Sequence, residues 1–92
     1  MRFTQHIVFY AENEQDVLDL VEEGAEARPP GLLGVRVLRF RHKPGRYVIQ
    51  ADYESLAAAE ANNDRPDTRE WAKRLESIAT SEIKWEDLDV LT

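Results

Sequence analysis

The sequence predicts an α+β domain: a four-stranded antiparallel sheet in the order β-α-β-β-α-β, with both helices on one face. Three observations predict it. The 92 residues supply one core and no more, so a single domain over residues 1–92 is expected. Aromatic and β-branched runs alternate with stretches of 3.6-residue periodicity, which separates strands from helices in chain order. The two halves share β-α-β character, which is what a split βαβ, ferredoxin-like arrangement looks like, and the right-handed crossover rule puts both helices on the same side.

The first strand is Phe3 to Tyr10, reading FTQHIVFY and bounded by the polar Glu12-Asn13-Glu14. Its odd positions (Phe3, Gln5, Ile7, Phe9) are more apolar than Thr4, His6, Val8 and Tyr10, so the odd set is expected on the core side. Asn13 caps a helix running to about Ala27, with Glu14 and Asp16 in the first turn where the helix dipole favours anions. Its apolar stripe is read as Val17, Leu18, Val21 and Ala25. The run Arg28-Pro29-Pro30-Gly31 ends it, because proline cannot continue a helix.

Gly34 to His42 and Arg46 to Tyr53 form a hairpin around Lys43-Pro44-Gly45. Pro44 cannot take the positive φ of a primed two-residue turn, so a longer loop of four residues is expected. An even loop places Leu38 and Phe40 on the core side with Tyr47, Ile49, Ala51 and Tyr53. The opposite face then carries Val37, Arg39, Arg41, Val48, Gln50 and Asp52. Ser55 caps the Ala-rich helix Leu56–Asn63, which Asn62-Asn63-Asp64-Arg65-Pro66 interrupts. Asp67 with Glu70 three residues on resembles a capping box that restarts the helix, and Trp71, Leu75 and Ile78 share one face of it. A last strand lies within Glu82–Val90, with Ile83 and Trp85 as its alternating apolar pair.

Composition excludes several function classes. Twelve Lys+Arg against eighteen Asp+Glu leave a net charge of −6, which opposes non-specific attraction to nucleic acid or anionic lipid. An RNA-recognition module of the same strand order needs stacking aromatics on the open face of its third strand, where this chain has Val48, Gln50 and Asp52. Cysteine is absent, so disulfides and thiolate chemistry fall away and a cytoplasmic location is expected. The N-terminus shows no apolar run of signal-peptide or membrane-span length. No HExxH or GxGxxG spacing and no serine elbow occurs, so no metal and no organic cofactor are expected.

The face away from the helices is too apolar for a solvated surface and too charged for a dry core. It fits either a second copy's sheet packed against it or a ligand covering it, so a homodimer through the open sheet face is expected. The ligand-holding candidates there are Arg39, Arg41, Gln50 and Asp52, since paired guanidinium groups hold a carboxylate or phenolate bidentately. The alternative for the arginines is salt bridging to Asp52, Glu86 or a partner's acids. His6, mid-strand on that face, and Tyr10 are the candidates for proton transfer, with a satisfied structural histidine as the alternative for His6. Asn62 and Asn63 at the helix break read as loop-formers, with a pocket mouth as the alternative, and Trp71 reads as core.

The element order, the length, the run Tyr53-Glu-Ser-Leu-Ala-Ala-Ala-Glu-Ala61 and the break before Trp71-Ala72-Lys73-Arg74-Leu75 resemble the dimeric α/β-barrel superfamily, and most of all its antibiotic-biosynthesis monooxygenase-like branch. The resemblance implies a homodimer whose sheets face one another in a barrel, with a pocket between sheet and helices or in the barrel interior. It implies a cofactor-independent monooxygenase-like enzyme or a carrier for a small apolar or aromatic acid; the alternative is a non-catalytic ligand-sensing or accessory dimer. The histidine that the branch often carries near the broken second helix is missing, since residues 62–69 read NNDRPDTR. The Asn, Trp and His trio of haem-degrading members has no secure counterpart either.

Overall fold

A computed structural model describes all 92 residues. The elements are β1 (Phe3–Tyr10), α1 (Glu14–Glu26), β2 (Leu32–Arg39), β3 (Arg46–Tyr53), α2 (Leu56–Asn63), α3 (Pro66–Ile78) and β4 (Lys84–Asp89). One antiparallel sheet has the order β2-β3-β1-β4, so the two most apolar strands lie in the middle. This is the expected ferredoxin-like α+β fold, with the second helix divided in two. No helix is long and apolar enough to cross a membrane.

The helix-side face of the sheet is set by the alternation of β1 and β3. Ile7 pairs with Ile49 and Phe9 with Tyr47, and all four are buried against Val17, Leu20 and Val21 of α1 and Leu75 of α3. A smaller cluster at the other end joins Phe3, Ala51 and Tyr53 to Ala59 of α2. Asn13 caps α1 by accepting from the Gln15 amide at 2.9 Å, and Ser55 caps α2 by accepting from Ala58 at 3.1 Å, both as expected.

The facing of β2 is the reverse of the expectation. Val35 pairs with Ala51, Val37 with Ile49 and Arg39 with Tyr47, so Val35, Val37 and Arg39 lie on the helix side and Leu38 lies on the open side. The hairpin loop explains the reversal. The Phe40 amide donates to the Arg46 carbonyl at 3.1 Å, leaving residues 41–45, an odd number, outside the pairing. Within the loop the Arg46 amide donates to the Lys43 carbonyl at 3.1 Å, and Gly45 takes φ 82°, a Pro-Gly turn of the type II kind. Changing the loop by one residue moves every side chain of the incoming strand to the other face. Phe40 sits instead beneath the Arg46 guanidinium, 4.4 Å from ring centroid to cation.

Two helix details also differ. The inward stripe of α1 is Val17, Leu20, Val21 and Gly24 rather than one that includes Leu18 and Ala25, both of which are exposed. Gly24 belongs to it because the Trp71 indole packs on its bare backbone. At α3, Pro66 occupies the first turn and Arg65 is the N-cap position without a side-chain bond. Asp67 is therefore inside the helix, where it accepts two bonds from Arg65, at 3.1 and 2.9 Å, instead of capping.

Candidate functional site

Between the sheet and the three helices lies a cavity of about 280 Å³. Its floor is mostly apolar, made by Ile7, Ile49, Val35 and Ala51 from the inner faces of three strands, with Gln5 of β1 as the polar member. Val21 and Gly24 of α1 and Trp71 of α3 form the opposite wall, while Trp85 of β4 closes the edge. The Trp71 Nε1–H donates to the Leu20 carbonyl at 2.8 Å, which fixes the indole against α1. Arg74 and Glu23 join α3 to α1 at the rim, 2.8 Å apart.

A hydrogen-bonded polar cluster enters this apolar space. Tyr53, the last residue of β3, points inward by strand alternation and is buried. Asn62 lies in the last turn of α2 and is buried; its Nδ2 donates to the Tyr53 hydroxyl at 2.8 Å. Thr68, in the first turn of α3, donates from Oγ1 to Asn62 Oδ1 at 3.0 Å. The helix break at 64–66 is what brings the end of α2 and the start of α3 to one point. Burial raises the Tyr53 phenol above its ordinary value, with the Asn62 bond acting in the opposite direction, so it stays a neutral hydroxyl at neutral pH.

None of the residues expected to form the site lines this cavity. His6 is half-buried in mid-β1 on the open face, between Gln50 of β3 and Glu86 of β4 in the register. Gln50 and Asp52 share that face, Gln50 Nε2 donating to Asp52 Oδ1 at 3.4 Å. Tyr10 closes the same row at the exposed end of β1, opposite Arg46. Arg39 is not on the open face: it lies helix-side at the β2 edge, its Nε 3.0 Å from Glu14 Oε1. Arg41 is an exposed loop residue, so the structure does not bring the two guanidinium groups together as a wall with Gln50 and Asp52. Arg39, Glu14 and Tyr47 instead border a second recess of about 240 Å³ at the opposite end of α1. There burial, and next the Glu14 carboxylate, raise the Tyr47 phenol.

Sequence reasoning assigned neither Tyr53 nor Thr68 to a site, and Asn62, read as a loop-former with a pocket mouth as the alternative, is a buried helix residue that lines the cavity. A signal existed: an inward-facing tyrosine must find a partner for its hydroxyl. The partner's identity depends on where the broken helix falls, which periodicity does not show.

The profile of the antibiotic biosynthesis monooxygenase family matches residues 4–74. Among solved structures, a cofactor-independent oxygenase of Streptomyces nogalater, SnoaB, in a variant carrying one asparagine-to-alanine substitution, superposes with a TM-score of 0.85 at 20% identity, covering 99% of this chain and 94% of that one. A Deinococcus radiodurans protein assigned to the antibiotic biosynthesis monooxygenases gives a TM-score of 0.80 at 18% identity, covering 98% and 93%. Rv0793 of Mycobacterium tuberculosis gives a TM-score of 0.80 at 12% identity, covering 100% and 97%. Among curated proteins, no sequence matches the chain.

Proposed function

This chain belongs to the antibiotic biosynthesis monooxygenase family, and on that premise we propose that it binds a small apolar or aromatic acid, phenol or ketone between sheet and helices, as a cofactor-independent monooxygenase-like enzyme or carrier. The observation that carries the reading is the apolar cavity entered by the Tyr53–Asn62–Thr68 cluster. An apolar wall with a few convergent polar groups is what holds and orients such ligands, and about 280 Å³ is near the lower end of ordinary ligand pockets. The fold shared with a cofactor-independent oxygenase supports the chemistry.

In the same reading the chain is a homodimer through the open sheet face, in the cytoplasm, consistent with its cysteine-free composition. Val8, already buried, and the half-buried Val48 pair at the middle of that face, with the exposed Leu38 opposite Val48 and the polar row His6, Gln50 and Asp52 alongside. A second sheet packed there takes Leu38 and Val48 out of water and turns the row into interface groups. Should a ligand lie between the sheets instead, His6 or Tyr10 would be the proton-transfer group and Gln50 and Asp52 the holding groups, joined by Arg39 and Arg41 only if the β2 end and its loop rearrange.

The test is a fluorescence titration with 2-naphthoate and 2-naphthol, since Trp71 and Trp85 both line the cavity. Saturable quenching is expected, weakened about tenfold or more by Asn62→Leu, which leaves the Tyr53 hydroxyl unpaired. Quenching that ignores Asn62→Leu but falls with His6→Ala would refute the placement. Oxygen uptake with bound ligand separates an oxygenase from a carrier or ligand-sensing dimer, and light scattering decides the dimer.

A further inference from the structure

We propose that two copies of this chain face one another about a two-fold axis parallel to the strands, so that Arg36 at one edge of each open sheet face pairs with Glu86 of the partner subunit. The inference rests on the homodimer reading above and specifies how the two sheets are oriented.

It follows from reading the open face across the strands rather than along them. Arg36 of β2 lies opposite Gln50 of β3, Gln50 opposite His6 of β1, and His6 opposite Glu86 of β4. This row runs from a cation at the β2 edge to an anion at the β4 edge. The next row along the strands is Leu38, Val48, Val8 and Lys84. Three strand spacings, about 14 Å, separate the ends of the charged row, and the Gln50 and His6 side chains stand between them. Arg36 and Glu86 are both exposed, and neither belongs to an ion pair within the chain. Two identical sheets packed face to face with their strands aligned are related by an axis along the strands or across them. An axis along the strands lays β2 of each copy over β4 of the other. Arg36 then faces Glu86 of the partner subunit, twice per dimer, and Val48 faces the partner's Val8. An axis across the strands lays each strand over its own counterpart. If that axis passes the charged row, Arg36 meets the partner's Arg36 and Glu86 meets the partner's Glu86. If it passes the valine row, Lys84 meets the partner's Lys84. Like charges set against each other oppose association, whereas unlike charges steer it and fix its register. The charged row therefore complements a second copy of itself in one of the two orientations only.

Charge reversal tests it, read as the dimer dissociation constant from sedimentation equilibrium at low ionic strength. Arg36→Glu and Glu86→Arg, made singly, are each expected to raise that constant about tenfold, because attraction becomes repulsion at both symmetry-related contacts. The double variant, in which the two charges have changed places, is expected to return to within about threefold of the wild type. Added salt should shrink the effect of each single reversal, since the contacts lie at the sheet edges. Wild-type far-ultraviolet circular dichroism in the single variants certifies that a weakened dimer is not a misfolded one. Single variants that dimerise as tightly as the wild type overturn the orientation and leave the homodimer standing. Single variants that dissociate, with no recovery in the double variant, overturn the pairing of Arg36 with Glu86. A wild-type chain that stays monomeric at every concentration overturns the homodimer reading and this inference with it.

Discussion

Gly24→Ala has two opposed consequences whose balance can be worked from the cavity wall. In an exposed helix interior the change stabilises by about 1 kcal/mol, because alanine loses less backbone freedom on folding. At this position a Cβ would lie 2.9 Å from Trp71 Nε1 and 3.4 Å from its Cε2. The indole must move, and moving it strains or breaks its bond to the Leu20 carbonyl. The lost bond costs about 1 kcal/mol and the overpacking about 1–3 kcal/mol. The net effect is a destabilisation of about 1–3 kcal/mol, a fall in Tm of about 4–24 °C for a domain of this size. Circular dichroism melts of the wild type, Gly24→Ala, Trp71→Leu and the double variant form the assay. In the Trp71→Leu background the obstacle is gone, so the same glycine change should raise Tm. If Gly24→Ala raises Tm in the wild-type background, or has the same sign in both, the account of how α1 and Trp71 build the wall is refuted.

Two further outcomes follow from the core and from Tyr53. Leu75→Ala, at a fully buried position of α3 in the larger core cluster, should cost about 2–5 kcal/mol in urea denaturation at unchanged slope. In alkaline titration at 295 nm, Tyr53 should ionise above 10.0, and Asn62→Leu should push it higher by removing the bond that favours the phenolate. Because its folded-state value is raised, the stability linked to Tyr53 is complete below pH 10 and is lost as pH rises through that folded value. A Tyr53 midpoint at or below 10.0 would contradict its burial.

Local chemistry carries through to the structure wherever one element decides the outcome. Asn13 and Ser55 cap their helices because a short polar side chain before an apolar stripe satisfies the orphan amides whatever surrounds it. Phe3, Ile7 and Phe9 face the core because strand alternation is a property of the backbone. Arg39 and Leu38 exchange faces for a different reason. Which way β2 faces depends on the parity of the loop 41–45, and the sequence cue, Pro44-Gly45, identifies a turn without counting the residues around it.

The candidate site divides along the same line. By itself the sequence determined the order of elements, the ferredoxin-like sheet, the inward direction of Tyr47 and Tyr53, and a helix broken near Pro66, since each follows from periodicity, capping or proline stereochemistry within a few residues. Only the tertiary structure decided that Tyr53, Asn62 and Thr68 meet in one apolar cavity, and that Arg39 turns to Glu14 rather than joining Gln50 and Asp52. Those outcomes depend on where separate elements stop and how they pack. Hydrogen bonds such as the 2.8 Å contact between Asn62 and Tyr53 form only once a strand end, a helix end and a helix start have been brought together.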